Sequence, residues 1–199
     1  MVIKVLAFNG SPRQEGNTAQ ALKVVLGELQ KEGVDTELIQ LRPLKIGECT
    51  ACGECGKNKD KRCVLKDDCN TCIGKMLVAD GILLGSPTYF GGVASKLKAL
   101  IDRAGLVARV NDLMLARKVG APVIAVRRQG ATDVYHGICN FFAINSMFMV
   151  GSSYWNMAIG LEPGDIAKDA EGQETLHNLG QNMAWILKKI KEGFSTETH

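Results

Sequence analysis

The chain alternates short, continuous apolar runs with longer segments whose apolar residues recur at helical spacing. Residues 2–8 form the first apolar run, interrupted by one lysine, which is typical of a strand buried on both faces. Gly33 ends a first helix, which is predicted by four apolar residues at positions i, i+3, i+4 and i+7: Leu22, Val25, Leu26 and Leu29. A second, more amphipathic strand is predicted at residues 34–41.

The same alternation continues through the rest of the chain. Further strands are predicted from apolar runs, at residues 78–85, 119–126 and 152–159. Further helices are predicted from helical spacing, at residues 97–104, 135–150 and 176–190, with the lysine-rich tail after Lys188 extending into solvent. Glycine, proline and polar residues predict loops between these elements, at residues 86–92, 127–130 and 163–172.

Five predicted strands that alternate with helices indicate a parallel sheet covered on both faces. Because parallel crossovers are right-handed, few topologies remain. The predicted fold is therefore an α/β three-layer sandwich of the flavodoxin type, with a five-stranded parallel sheet. The 199 residues suit a single domain, residues 1–199, with a cysteine-rich insertion after the second strand at about residues 43–75.

Composition and charge narrow the function classes. Hydrophobic residues make up 46% of the chain and the formal net charge is +3, which argues against a nucleic-acid or membrane-surface partner. The first apolar run lacks a basic start, so no signal peptide is predicted, and no run approaches the ~20 residues of a membrane span. We therefore expect a cytoplasmic protein, in which clustered cysteines favour metal binding or catalysis over structural disulfides.

Six of the seven cysteines fall within residues 49–72. Four of them form a Cys-x2-Cys-x2-Cys run and a further cysteine after a gap of seven residues: Cys49, Cys52, Cys55 and Cys63. A compact run with a fourth thiolate is a common signature of a [4Fe–4S] cluster. These four are the predicted cluster ligands.

Other interpretations of the same segment stay open. Cys49 and Cys52 could instead hold zinc together with Cys69 and Cys72, since 16 residues separate the two pairs. Cys69 and Cys72 could also form a thiol–disulfide couple, or one of them could replace Cys63 as fourth ligand. The seventh, Cys139, lies in a predicted apolar helix and is expected to be a buried core residue.

Three loops are predicted at the carboxyl edge of the sheet, where open parallel sheets bind ligands. The first loop lies beside a helix N-terminus and carries four residues whose side chains can bind an anion: Ser11, Arg13, Asn17 and Thr18. This combination suits a phosphate monoester. A helix capped by Asn17 or Thr18 is the alternative. In the second loop, Tyr89 and Phe90 precede a glycine pair and could wall a flat ring, or they could cap the core.

The third loop, residues 127–130, holds two cations at a strand end. Arg128, with its neighbour Arg127, could meet an anionic ring edge or the phosphate of a pyridine nucleotide. A solvated loop is the alternative. Arg128 is the residue predicted here to bind a cofactor.

At these motifs the chain resembles the flavodoxin-like NADPH-dependent FMN reductases, in particular the iron–sulfur flavoproteins. The resemblance extends over nearly the whole chain and rests on the cysteine run and four further stretches: residues 10–18, 85–92, 151–160 and 168–172. It implies that the first loop holds the FMN phosphate and that a second set binds the isoalloxazine ring, largely through backbone groups: Pro87, Thr88, Tyr89, Phe90, Gly91 and Gly92. It also implies homodimers or homotetramers.

The expected function is an FMN-dependent oxidoreductase that passes electrons between a two-electron flavin and a one-electron [4Fe–4S] cluster. NAD(P)H is a candidate donor, and the lysine-rich cysteine segment could steer an acidic, ferredoxin-like partner. Two other functions remain: an NAD(P)H-dependent FMN or quinone reductase whose cysteines bind zinc or are redox-active, and a non-enzymatic redox sensor.

Overall fold

The structure of the protein, a computed structural model, describes residues 2–196. Its strands are β1 (Lys4–Asn9), β2 (Asp35–Gln40), β3 (Gly81–Tyr89), β4 (Gly92–Val93), β5 (Val119–Val126), β6 (Phe148–Met149) and β7 (Met157–Ile159). Its helices are α1 (Asn17–Lys31), α2 (Glu54–Asn58), α3 (Cys69–Val78), α4 (Ser95–Val110), α5 (Ala131–Ile144) and α6 (Ala170–Thr196), with a 3-10 turn at Asp165–Lys168.

The main sheet has the strand order β2-β1-β3-β5, and β6 and β7 occupy its last position beside the two ends of β5. Every pair in it is parallel, and only the short β4 folds back antiparallel on β3. This is the doubly wound order in which the first strand lies inside the sheet. The predicted three-layer α/β sandwich of flavodoxin type is confirmed.

The two faces of the sheet bury different helices because side chains along a strand alternate in direction. Leu6 and Phe8 of β1 pack into a core that includes residues of α3, α4 and α5. Val5 and Ala7 point the other way, into a core built with α1 and α6. The carboxyl ends of β1, β3 and β5 are therefore left between two helical layers, where their loops emerge.

Strand β3 is longer than the sequence indicated. Residues 86 and 87, predicted to begin a loop, pair with Ile124 and Ala125 of β5. The buried Ser86 then fixes the turn, because its Oγ accepts a hydrogen bond from the N–H of Ala94 at 3.0 Å. The predicted ring-binding loop is thus the end of a strand and a tight hairpin rather than a free loop.

The predicted fifth strand, residues 152–159, is wrong in its extent. The sequence between β6 and β7 leaves the sheet, and the fully buried Asn156 holds this excursion in place. Its amide donates to the carbonyl oxygen of Val150 at 3.3 Å, and its Oδ1 accepts from the Ser152 hydroxyl at 2.6 Å. The helix predicted at 135–150 accordingly ends at Ile144, before β6.

The bounds of α3 and α6 also differ from the predicted ones. Helix α3 covers residues assigned to the insertion and to the start of a strand, so Cys69 and Cys72 lie on the crossover helix from β2 to β3. Helix α6 continues beyond Lys188 to residue 196, whereas a solvent-exposed tail was predicted. The tail's last three residues lie outside the described part. No helix within residues 2–196 is long and apolar enough to cross a membrane.

Candidate functional site

An open cleft of about 190 Å³ lies at the carboxyl edge of the sheet. It is formed where β1, β3, β5 and β7 end, so residues far apart in sequence meet in it. The structure brings seven of the predicted cofactor-binding residues together there: Ser11, Arg13, Asn17, Thr18, Pro87, Thr88 and Tyr89. The cleft also contains five residues that the sequence analysis did not assign to it: Gly16, Ala125, Arg127, Gly160 and Leu161.

The N-terminus of α1 opens into this cleft without a cap. Gly16 occupies the N-cap position, where it makes no side-chain cap hydrogen bond, and the first turn contains no acidic residue. The interpretation of Asn17 or Thr18 as a mere helix cap is therefore wrong. The free N–H groups and the positive end of the helix dipole favour an anion here.

The loop before α1 is held in shape by side chains that reach backbone groups. Asn9 is fully buried at the end of β1, and its Oδ1 accepts the N–H of Ser11 at 3.0 Å. The Ser11 hydroxyl in turn accepts the N–H of Arg13 at 3.1 Å. This chain of hydrogen bonds positions the loop, so that Ser11 and the exposed Arg13 line the same cleft.

Asn17 has a role that its motif did not indicate. Its Nδ2 donates to the carbonyl oxygen of Glu162 at 2.9 Å, and its Oδ1 accepts the N–H of Gly164 at 2.9 Å. The side chain thus ties α1 to the segment after β7. One Nδ2 hydrogen and the backbone N–H of Asn17 are left to meet an anion, so the predicted contact of Asn17 with phosphate stays a prediction.

The wall formed by β3 contains a buried polar atom without a partner. The Oγ1 of Thr88 makes no hydrogen bond, and a buried polar group in a ligand cleft is normally satisfied. Gly130, with φ +83°, closes the same region, since an added Cβ would lie 3.2 Å from Cα of Gly91. An unsatisfied hydroxyl in a tightly closed wall fits a ligand with hydrogen-bonding edges.

The tip of the β3–β4 hairpin lies outside the lining of the cleft. Phe90 adopts a φ of 48° and is fully exposed. Gly91 and Gly92 complete the turn. The three residues after Tyr89 therefore do not form part of this cleft within one chain.

Arg127 lines the cleft, and the predicted Arg128 does not. Ala125 also lines it, and residues i and i+2 share a face at the end of a strand. This alternation directs Arg127 towards the cleft and Arg128 away from it. The sequence analysis recognised two cations and chose Arg128, although it placed the end of the strand correctly at residue 126, because residue type alone does not show which side chain faces the cleft.

We expect Arg127→Ala to weaken FMN binding about threefold to tenfold, because an exposed cation beside an anionic ligand contributes on the order of 1 kcal/mol. Arg128→Ala is the matched control and should leave the dissociation constant unchanged. Fluorescence titration of the apoprotein with FMN measures both. A larger loss for the Arg128 variant would contradict the assignment.

A second, narrow cavity lies within the cysteine-rich segment. All four predicted cluster ligands line it: Cys49, Cys52, Cys55 and Cys63. Helix α4 supplies the opposite wall with Arg103, Leu106 and Val107. Neither Cys69 nor Cys72 is among the residues that line the cavity.

Residues outside the cysteine motif position two of these thiols. Asn70 of α3 binds both backbone groups of Cys63: its Oδ1 accepts the N–H at 2.8 Å, and its Nδ2 donates to the C=O at 2.9 Å. Asn111, next to the end of α4, donates to the carbonyl oxygen of Cys55 at 3.4 Å and accepts the N–H of Lys61 at 3.0 Å. The sequence analysis missed both, since an asparagine on a helix carries no distinctive signal.

Four thiols border one cavity, which is the number of thiolates that a [4Fe–4S] cluster takes. Among residues 2–196, no three His, Cys, Asp or Glu side chains are grouped so that they could hold a metal ion. A [4Fe–4S] cluster takes one thiolate per iron, so its ligands surround a cavity instead of converging on one atom. Burial, then the neighbouring thiols of Cys63 and Cys52, raise the pKa of Cys55, as expected if these sulfurs face a common space.

The zinc interpretation loses its second cysteine pair in the structure. Cys69 and Cys72 are buried on α3, with 0% and 1% of their surfaces exposed, and belong to the core beneath the sheet. Burial raises the pKa of Cys69 to about 12 and that of Cys72 to about 11. A redox couple requires an accessible thiolate of low pKa, so these thiols have the character of inert core residues.

We expect a thiol reagent at pH 8 to modify Cys52 in the folded, cluster-free protein and to leave Cys69 and Cys72 unmodified. A pKa raised to about 12 or about 11 leaves a thiolate fraction of roughly one in a thousand or less at this pH. Cys52, in contrast, is exposed. Mass spectrometry after a short pulse of iodoacetamide measures the sites, with a guanidinium-unfolded sample as control. Rapid labelling of Cys69 or Cys72 in the folded protein would support the redox couple.

The fold and the two sites define a flavodoxin-like oxidoreductase. The family model for NADPH-dependent FMN reductases matches residues 3–162. An iron-sulfur flavoprotein of Methanocaldococcus jannaschii is 39% identical over 197 residues, which cover 96% of this chain and 100% of that relative. The chain therefore belongs to the NADPH-dependent FMN reductase family, in its iron–sulfur flavoprotein branch.

Solved structures agree on the fold. The structure of RosB with a bound riboflavin-phosphate derivative gives a TM-score of 0.72 at 16% identity, covering 96% of this chain and 81% of that chain. A flavodoxin, WrbA-like protein from Agrobacterium tumefaciens gives 0.66 at 15% identity, covering 95% and 99%. At this level of identity the likeness shows the fold alone.

Proposed function

We propose that the chain binds FMN in the cleft and a [4Fe–4S] cluster in the cysteine cavity, and that it transfers electrons between them. The observation that carries the proposal is that all four cysteines of the motif line one cavity. The segment that holds them follows β2 directly. It therefore leaves the same carboxyl edge of the sheet as the cleft.

The phosphate end of FMN fits the N-terminus of α1. The uncapped first turn offers backbone N–H groups, and the Ser11 hydroxyl and the Arg13 guanidinium line the same end of the cleft. Helix N-termini with such neighbours bind phosphate. Pro87, Thr88 and Tyr89 form the other wall, where the unpaired Thr88 hydroxyl can meet a polar ring edge.

Helix α4 connects the two sites. Ala94 to Lys96, at its start, line a further cavity of about 180 Å³ that shares Ser11 and Tyr89 with the cleft. Arg103 lies eight residues after Ser95 on the same helix and lines the cysteine cavity. At a rise of about 1.5 Å per residue, roughly 12 Å of helix separates the two sites.

The cysteine segment is fixed to α4, so the distance between the sites is set by the fold. Lys96 donates to the carbonyl oxygens of Arg42 and Leu44, each at 2.8 Å. Arg103 binds Asp67 at the other end of the segment. When bound, FMN can accept two electrons and release them singly, and the cluster accepts one at a time.

The electron donor and the assembly of the protein belong to the proposal as well. NAD(P)H or an acidic, ferredoxin-like protein is the proposed donor, because exposed cations surround the cysteines: Lys57, Lys59, Lys61, Arg62 and Lys66. Tyr154, Trp155 and Phe90 are large, exposed aromatics, which supports association into homodimers or homotetramers. A cytoplasmic location accords with unpaired thiols.

Anaerobic purification with FMN, iron, sulfide and zinc quantified on one sample tests the proposal. We expect flavin absorbance together with stoichiometric iron and sulfide. FMN without iron, together with NAD(P)H-dependent reduction of quinone or free flavin that survives Cys52→Ser, would instead identify a cluster-free reductase. Slow turnover with every donor, and partner binding that depends on the cysteine state, would indicate a redox sensor.

A further inference from the structure

Arg103 is a charged residue in the buried face of α4. Only 1% of its surface is exposed, and it lines the cysteine cavity. It follows Leu100 by three residues and precedes Val107 by four, so it interrupts the apolar stripe that packs on the core. A lone arginine in such a stripe requires partners for its charge and its donors.

Part of the guanidinium group is satisfied by the cysteine segment. Its Nη1 donates to Asp67 at 2.5 Å and to the carbonyl oxygen of Gly47 at 3.2 Å, and its Nη2 donates to Asp67 at 2.8 Å. The Nε is buried and makes no hydrogen bond. Buried donors in native proteins are nearly always paired, so an acceptor other than Asp67 and Gly47 is expected for this nitrogen.

The sulfurs of the cysteine cavity are the candidate acceptors. Leu106 and Val107, the other residues of α4 in the cavity wall, have apolar side chains. An arginine guanidinium keeps its proton in proteins, and that of Arg103 is ion-paired with Asp67. The guanidinium is thus a permanent cation in the wall of the cavity that Cys63 also lines.

We propose that the Nε–H of Arg103 donates a hydrogen bond to the Cys63 sulfur or to a sulfide of the cluster, and that its buried charge raises the reduction potential of the cluster. This inference rests on the proposed function, since it requires the cluster. It goes further, because it assigns a positioning and tuning role to a residue outside the cysteine motif.

The sign of the effect follows from electrostatics. Reduction adds a negative charge to a cluster, so a nearby cation favours the reduced form, and hydrogen bonds to the sulfurs act in the same direction. The effect is weakly screened because Arg103 is excluded from water. Asp67 partly offsets the charge, but Arg103 lines the cavity and Asp67 is not among its lining residues.

Three variants separate the charge, the hydrogen bond and the anchoring of the segment. Arg103→Gln removes the charge, Arg103→Lys keeps it without the Nε–H, and Asp67→Asn removes the anchor while leaving the arginine. A potentiometric titration followed by electron paramagnetic resonance gives the midpoint potential. Resonance Raman spectra in H2O and D2O report hydrogen bonds to the sulfurs, and iron and sulfide contents report cluster retention.

We expect Arg103→Gln to lower the ratio of reduced to oxidised cluster at a fixed ambient potential about tenfold, equal to a shift of about −59 mV for a one-electron couple. Asp67→Asn should shift the potential in the opposite direction, because it removes a negative charge. Arg103→Lys should shift it less than the glutamine variant and lose the deuterium sensitivity of the iron–thiolate bands.

Each result for these variants either supports or overturns the inference. A loaded Arg103→Gln variant with the wild-type potential overturns the inference, as does a Lys variant with unchanged deuterium sensitivity. All three variants break the ion pair between Arg103 and Asp67. If both Arg103 variants lose the cluster and Asp67→Asn keeps it, the broken ion pair does not explain the loss, and direct contact between Arg103 and the cluster is supported. If all three lose it, anchoring explains the result and the inference is overturned. A wild-type chain without iron and sulfide overturns the proposed function, and this inference with it.

Discussion

A Cys63→Ser chain, purified and reconstituted without oxygen, should lose most of its iron and sulfide, together with the visible absorbance of the cluster. Cys63 lines the cavity with the other three cysteines of the motif, and Asn70 fixes both of its backbone groups. A serine hydroxyl replaces a thiolate poorly at iron, because soft thiolate ligands are what iron–sulfur clusters select. Iron and sulfide analysis, with FMN content measured on the same sample, gives the result.

Cys72→Ser is the matched control for this experiment. It removes a cysteine from the neighbouring helix that does not line the cavity, so iron and sulfide should stay at the wild-type level. The substitution should instead lower the free energy of unfolding, since Cys72 is 1% exposed and belongs to the core. The fourth-ligand assignment is wrong if the Cys72 variant loses the cluster and the Cys63 variant retains it.

Arg13→Ala should weaken FMN binding by about 10- to 100-fold while leaving riboflavin binding nearly unchanged. A charge-assisted hydrogen bond contributes about 1.5–3 kcal/mol, and riboflavin lacks the phosphate that Arg13 would meet. The argument depends on Arg13 and the uncapped N-terminus of α1 bordering the same cleft. Fluorescence titration of the apoprotein with each flavin measures both dissociation constants.

Arg13→Lys tests whether the charge or the geometry of the guanidinium matters. Lysine keeps the charge but loses the two-pronged donor geometry, so an intermediate loss of FMN affinity is expected. Equal losses for FMN and riboflavin in the alanine variant would place the phosphate elsewhere. Retained FMN affinity in that variant would leave the helix N-terminus as the main anion contact.

The sequence predicted the layers of the fold because buried parallel strands produce apolar runs that few other structures produce. Residues 119–126 were predicted as a strand, and the structure has β5 at those residues. The excursion before β7 was not predictable in the same way. It depends on Asn156, whose contacts with Val150 and Ser152 exist only after the chain has folded back.

The residues of the candidate sites were likewise predictable in part from the sequence and in part only from the folded chain. The seven cleft residues that the sequence indicated lie at the carboxyl ends of β1 and β3, where topology alone brings them together. Arg127 was missed in favour of Arg128 because the choice depends on the direction of one side chain at a strand end. Gly160 and Leu161 directly follow β7, and they were missed because neither residue type signals a ligand contact.

The motif of four cysteines and the alternation of strands and helices were fixed by residue type and spacing, and they identified a cluster-binding candidate on a flavodoxin-like sheet. Only the tertiary structure decided which thiols share a cavity. It put Cys69 and Cys72 in the core, because the apolar face of α3 that carries them packs beneath the sheet. It also brought Arg103 from a distant helix to the same cavity as Cys63. Long-range packing of this kind leaves no periodic trace in the local sequence.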